Sequence, residues 1–185
     1  MLGSVVLRRR REFAWGRHHA REALVRLGFA PVPILSRADR APVWPLGAIG
    51  SISHSSSDCG AVVGRSSDVL ALRLDIEDEE PLGADLLPII CTPAEIELSE
   101  WSGSRVGPKL IFIIKEAVYK SYGPATGEFL DFQDVSVRTN DQSGMFEAEI
   151  VNSEKPMSFG SRTINGIYLL FEGGILALAA RFRGA

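Results

Sequence analysis

Cysteine is scarce. Cys59 and Cys91 are the only two in 185 residues, and no Cys-x-x-Cys pair occurs. Neither a disulfide framework nor a zinc–thiolate site is therefore expected, and each thiol reads as a small buried apolar residue. Long hydrophobic runs are missing too. No apolar stretch reaches the roughly 18 uninterrupted residues of a membrane span. The nearest approach, residues 166–182, is cut by Glu172-Gly173-Gly174 into two short runs that read as a β-hairpin. Val5-Val6-Leu7 is too short for the core of a signal peptide, and arginines follow it. These absences give the expectation of a cytoplasmic protein with no membrane partner. No Gly-x-Ser-x-Gly elbow occurs, which argues against a serine hydrolase built on His54 and its serine neighbours. Nor is there an excess of positive charge: 20 Lys and Arg face 23 Asp and Glu, a net charge of −3. A polyanion such as nucleic acid is not an expected partner of the chain as a whole.

What is present is ordinary for a globular chain, with 45% hydrophobic and 23% charged residues, and the length suits one domain. The charge is unevenly placed. Arg8, Arg9, Arg10, Arg11, Arg17, Arg21 and Arg26 crowd the start, and acids gather between residues 75 and 100. A local basic patch on a mildly acidic protein suits a small phosphorylated ligand.

Periodicity predicts a helix over 9–27, with Phe13, Ala20, Leu24 and Leu27 in register and Gly28 as its stop. Pro31, Pro33, Pro42 and Pro45 make 29–48 an extended loop. Strands are predicted at 49–54, 59–64 and 69–76, joined by serine- and aspartate-rich turns as an antiparallel meander. Thr92-Pro93-Ala94-Glu95 reads as a capping box opening a helix to about Trp101. After a break at 103–107, a second helix runs from about Pro108 to Tyr122 and stops at Gly123-Pro124. It carries Leu110, Ile111, Ile114, Ala117 and Val118 inward. Short strands follow at 134–139, 145–151 and 157–164, then a hairpin at 167–182. The expected class is α+β, each half being a long helix followed by short strands.

The chemistry gathers on two stretches. Asp75 and Glu77 lie two apart at the end of a predicted strand, so both carboxylates share one face. Like charges that close raise each other's pKa unless a cation lies between them. A hard divalent cation with oxygen ligands is the natural occupant. Glu116 and Lys120 are four apart on a predicted helix and share a face. Together these suggest a metal-assisted phosphoryl-transfer site. Each motif alone has a plainer reading, as solvated loop acids and as a surface pair on a helix. His54 is either a neutral structural residue or a phosphate binder.

The ordered set resembles one family. Arg9-x-x-Glu12-Phe13 with Gly16-Arg17, Trp44-Pro45, Gly50-Ser51-Ile52-Ser53-His54-Ser55, Asp75-Ile76-Glu77 and Lys115-Glu116-Ala117-x-Tyr119-Lys120 look like the 4′-phosphopantetheinyl transferases, of the enterobactin-synthase-component type. The resemblance spans nearly the whole chain. It implies two similar α+β lobes in one domain, about 1–77 and 78–185, in a monomeric pseudo-dimer. It implies Mg²⁺-dependent transfer of the phosphopantetheine arm of coenzyme A to a serine of an acyl or peptidyl carrier protein, releasing 3′,5′-ADP. Asp75, Glu77 and Glu116 match the metal ligands. Glu116 is the implied base, Lys120 the implied partner of the pyrophosphate, and Asp75, Glu116 and Lys120 the catalytic set. Arg9, Arg17, Ser53, His54, Lys115 and Lys120 match the residues that hold coenzyme A. Three departures stand out: Arg73 and Arg40 replace common glycines, and the serine usual after Phe112 is absent. Relatives also typically carry a few dozen residues before the Arg-x-x-Glu-Phe run, against eight here, and the expectation is either that an initial strand or part of the ligand wall is missing or that the true start of the chain lies elsewhere. The alternatives are a degenerate relative that binds coenzyme A or a carrier protein without transfer, and a Mg²⁺-dependent nucleotide phosphohydrolase.

Overall fold

A computed structural model describes residues 2–102, 107–158 and 160–184. The first helix, α1 (Leu2–Arg26), begins earlier than predicted and ends as expected, with Gly28 at φ 85°. It packs on a hairpin of β1 (Ala48–His54) and β2 (Cys59–Arg65), in which Ala48 faces Arg65 and His54 faces Cys59. Ala20 and Leu24 are fully buried against Ile34, Trp44, Ile52, Ala61 and Val63. The proline-rich connection carries no strand longer than a single bridge between Ser36 and Pro42. In it Arg40 adopts φ 68°, the conformation that glycine takes without steric cost.

Close approach of α1 depends on Gly16, where a Cβ would stand 2.6 Å from Ile52 Cγ2. A β-branched neighbour has little rotamer freedom with which to retreat. Gly16→Val gains a few tenths of a kcal/mol of helix propensity but overpacks the contact at a cost of about 1–3 kcal/mol. The expected result is a lower thermal midpoint; an unchanged one would mean that α1 shifts freely on the hairpin.

β3 (Val69–Asp78) departs from the predicted meander. The hairpin ladder ends at β2. β3 pairs instead with β7 (Gly174–Phe182), at the edge of a five-stranded antiparallel sheet. The other members are β4 (Val135–Asn140), β5 (Met145–Ile150) and β6 (Thr163–Phe171), in the order β3-β7-β6-β5-β4. The reason lies in the side chains. Gly60 and Gly64 on β2 leave space that Leu72, Leu74 and Ile76 of β3 fill, so the two strands meet through packing and not through a ladder.

The hairpin predicted over 167–182 is β6–β7, and β4 and β5 fall where expected. Of the strand predicted at 157–164, residue 159 lies outside the described residues, Thr163 and Ile164 open β6, and a single Ser158–Ser161 bridge precedes them. The Arg162 guanidinium reaches back to the carbonyls of Asn152, Ser153 and Lys155 at 2.9–3.2 Å. Those carbonyls, just ahead of the segment, accept from a side chain of the segment itself, so the chain loops back between β5 and β6.

Among the described residues, three further α-helices, the short α2 (Leu87–Ile90), α3 (Pro93–Ser102) and α4 (Gly107–Thr126), and a 3-10 turn at Phe132–Asp134 complete the fold. Of the break predicted at 103–107, residues 103–106 lie outside the described residues, and Gly107 already opens α4. The capping box forms as predicted, with Thr92 N–H donating to Glu95 Oε2 at 2.7 Å and Glu95 N–H to Thr92 Oγ1 at 3.3 Å. Ile113, Ile114, Ala117, Val118 and Tyr122 of α4 fill the main core with Val137, Phe146, Ala148, Ile150 and Ile175 of the sheet. α4 does not stop at Gly123-Pro124 but runs through to Thr126. The N–H that Pro124 lacks is replaced from outside the helix, by Arg73 Nε donating to Lys120 O at 2.8 Å.

Candidate active site

Alternation along β3 sends Leu72, Leu74 and Ile76 toward the hairpin and Arg73, Asp75 and Glu77 toward α4. Each of the second set meets a partner there. Arg73 binds Lys120 O, Lys120 Nζ donates to Asp75 Oδ1 at 2.6 Å, and Lys109 Nζ donates to Glu77 Oε2 at 2.9 Å. Contacts 73 to 120 and 77 to 109 make α4 run antiparallel to β3. Lys120 Nζ also lies 3.5 Å from Glu116 Oε2, so one ammonium bridges the strand's aspartate and the helix's glutamate.

Asp75 is 3% exposed. Its Oδ1 also accepts from Ser53 Oγ at 3.1 Å, and Ser53 Oγ in turn accepts from Ile76 N–H. Its Oδ2 is buried with no hydrogen-bond partner. Burial pushes the Asp75 carboxyl above its ordinary range, against the pull of Lys120 and Ser53; Glu77 adds to the rise. Burial pulls the Lys120 ammonium down, but Asp75 and then Glu116 outweigh it, and the net shift is upward. The two directions belong to one desolvated pair of unequal burial: the side chain of Lys120 is 41% exposed and that of Asp75 only 4%.

Asp75, Glu77 and Glu116 offer only oxygen, the donor set of a hard cation. A buried carboxylate oxygen without a donor is the feature that a cation would satisfy, so these residues fit a divalent metal. Their oxygens are not gathered around one point: the Lys120 ammonium stands between Asp75 and Glu116, and Lys109 takes Glu77. Among the described residues only His18, His19 and Glu22 bring their ligand atoms all within 4.8 Å of one another. That group is largely exposed on α1, with Arg21 and Arg26 lining the same groove, and their charge opposes a dication.

The residues expected to hold coenzyme A divide. Ser53 and His54 close β1 beside Asp75, and His54 Nε2 lies 3.8 Å from Glu12 Oε2. Arg9 is exposed on α1. Arg17 sits with its guanidinium 3.7 Å from the centre of the Phe13 ring. It donates to Ile34 O and Ser36 Oγ, so it also ties the proline-rich connection to α1. Burial lowers its pKa.

Lys115 does not belong with them. Its side chain is 1% exposed, and its ammonium donates to Glu95 Oε2, Ile90 O and Phe132 O at 2.8–2.9 Å. All three N–H groups of a lysine are then taken, and none remains for a phosphate. The expectation fails because neighbours on a helix point about 100° apart: Glu116 faces β3, and Lys115 faces the core.

Three contributors were not among the expected site residues: Lys109 and Asp78 outside the motifs, and Glu12 within Arg9-x-x-Glu12-Phe13 but with no role assigned there. Lys109 shares a stripe with Glu116 and Lys120, at i, i+7 and i+11, and that spacing was a readable signal. Glu12 Oε1 accepts from Arg8 Nε at 2.8 Å, and its Oε2 stands 3.8 Å from His54 Nε2. Asp78 pins the β1–β2 turn through Ser56 N–H and Ser57 Oγ. That turn and α1 enclose a groove of roughly 510 Å³ lined by Arg8, Arg11, Glu12, Trp15 and the turn residues Ser55–Cys59.

An α+β chain with a strand-end carboxylate pair answered by a helical Glu and Lys defines a class. Residues 2–64 match the 4′-phosphopantetheinyl transferase N-terminal domain, and residues 74–162 match the 4′-phosphopantetheinyl transferase superfamily. The chain belongs to that superfamily. It is 36% identical over 150 residues to 4′-phosphopantetheinyl transferase Svp of Streptomyces mobaraensis, covering 79% of this chain and 61% of that protein. It is 36% identical over 139 residues to 4′-phosphopantetheinyl transferase PptT of Mycobacterium tuberculosis, covering 74% and 61%. With 4′-phosphopantetheinyl transferase Npt of Nocardia iowensis it shares 29% identity over 190 residues, covering 97% and 86%. The chain thus spans about three fifths of the length of the first two relatives. No helix among the described residues is long and apolar enough to cross a membrane.

Proposed function

We propose that this protein transfers the 4′-phosphopantetheine arm of coenzyme A to a serine of an acyl or peptidyl carrier protein and releases 3′,5′-ADP. The observation that carries the reading is the buried Asp75, with one oxygen held by Lys120 and the other without a donor, joined through that same lysine to Glu116. Asp75, Glu77 and Glu116 would hold Mg²⁺. When bound, the ion supplies charge neutralisation at the pyrophosphate oxygens.

The rest is work for the chain's own residues. Glu116 takes the proton of the carrier serine as the serine oxygen bonds to the pantetheine-side phosphorus. The bond from that phosphorus to the bridging oxygen breaks, and its electron pair leaves with 3′,5′-ADP. Lys120, kept charged by two carboxylates, donates to the leaving phosphate. Arg9, Arg17, Ser53 and His54 hold the nucleotide phosphates, and the arginine forks suit the 3′-phosphate. Lobes of about 1–77 and 78–185 divide this labour: the first supplies most nucleotide contacts and the second supplies Glu116 and Lys120.

The test is the intact mass of an apo carrier protein after incubation with this protein, coenzyme A and Mg²⁺, beside an EDTA control. A gain of one phosphopantetheine arm that EDTA abolishes supports the reading. Binding of coenzyme A with no gain in mass would make the chain a binding-only relative. Phosphate released from coenzyme A without a carrier would make it a hydrolase.

A further inference from the structure

Pro124 stands inside α4, four residues after Lys120. In an α-helix the carbonyl of residue 120 accepts from the N–H of residue 124. Proline has no N–H, and its ring crowds that carbonyl. Lys120 O is therefore deprived of its helical partner by the sequence itself. An unpaired carbonyl away from water is unfavourable, so a donor must come from elsewhere.

Arg73 supplies it. Its Nε donates to Lys120 O at 2.8 Å, and its Nη1 donates to Leu72 O at 2.7 Å, which fixes the guanidinium on β3. Two residues further along the same face of β3, Asp75 receives Lys120 Nζ at 2.6 Å. The strand thus holds both ends of one residue, its main-chain carbonyl through Arg73 and its ammonium through Asp75. Two residues of strand advance about 6.6 Å, a distance that an extended lysine side chain covers from backbone to ammonium.

We propose that Arg73 is a positioning residue for Lys120, replacing the helical hydrogen bond that Pro124 removes and so fixing the turn of α4 from which Lys120 reaches Asp75 and Glu116. The inference rests on the transferase reading for its catalytic consequence, but the coupling of Arg73 to Pro124 does not. Arg73 touches neither reactant and acts through Lys120 alone. Removing it leaves substrate contacts intact and loosens the geometry of the transition state. Small misplacements of a catalytic group are costly to turnover.

The experiment is a cycle of Arg73→Met, Pro124→Ala and the double variant in the full chain, read by thermal unfolding and by transfer kinetics. Arg73→Met is expected to lower the midpoint by about 5 °C when Pro124 is present. In the Pro124→Ala background, where a backbone N–H restores the helical bond, it should lower the midpoint by less than half of that. It should lower kcat about 10- to 100-fold while the KM for coenzyme A stays within about twofold. Pro124→Ala alone keeps wild-type kcat, and the double variant recovers most of the activity. Equal losses of stability in both backgrounds would overturn the coupling, whether or not the protein transfers anything. Wild-type kcat in Arg73→Met, or a double variant as impaired as Arg73→Met, would overturn the positioning role. Failure of the wild type to modify any carrier, with the stability coupling intact, would sink the transferase reading and leave the Arg73–Pro124 link standing.

Discussion

Glu116→Gln is expected to lose turnover by about 10²- to 10⁴-fold, the range over which a positioned base contributes. Glutamine keeps the shape of the side chain but cannot take a proton from the carrier serine. It also removes one of the two carboxylates that sustain the charge on Lys120. The change should cost little stability, because the contact to Lys120 spans 3.5 Å on a partly exposed pair. Steady-state kinetics and a thermal melt on the same preparation separate the two effects. A wild-type kcat would move the base elsewhere; a collapsed midpoint would mean that Glu116 supports the fold.

The second large effect falls on stability. Glu95 accepts from Lys115 Nζ at 2.8 Å, from Thr92 N–H at 2.7 Å and from Val137 N–H at 2.7 Å, and it is 4% exposed. One carboxylate thereby ties α3 to α4 and to β4, the edge strand of the five-stranded sheet opposite β3. Glu95→Ala leaves an ammonium and two backbone donors buried without it. Breaking a buried pair from one side costs about 3–5 kcal/mol, against a total stability of roughly 5–15 kcal/mol for a domain. At about 2–4 °C per kcal/mol for a chain of this size, the midpoint should fall by about 10 °C or more. Glu95→Gln, which keeps an acceptor, should fall between the two. A midpoint within about 2 °C of wild type would show that water or a rearranged Lys115 replaces the carboxylate readily. Because Lys115 precedes Glu116 directly, Glu95→Ala should also lower activity, and it should do so in proportion to the folded fraction lost.

Both predictions turn on the difference between residues that the chain places side by side and residues that the fold brings together. The Lys115-Glu116 dipeptide looks like one functional unit. The helix splits it, sending the lysine into the core and the glutamate to the cleft. Arg73, a departure from the family pattern, is no intruder near Asp75: it shares that residue's face and turns its guanidinium onto the backbone of Lys120.

The sequence by itself determined what depends on neighbours within a few residues. The capping box at Thr92–Glu95, the hairpins β1–β2 and β6–β7, the class of fold and the same-face pairs Asp75/Glu77 and Glu116/Lys120 all follow from periods of 2 and 3.6 and from local hydrogen bonds. Tertiary structure alone decided what depends on distant partners. Alternation marks β3 as a strand with two distinct faces. It does not say that Asp75 pairs across the ladder with Ala177, a hundred positions later, or that the apolar face fills the space left by Gly60 and Gly64. The end of α4 was misjudged for the same reason. Pro124 signals a missing N–H to any local reading, and only the folded protein contains the arginine that replaces it.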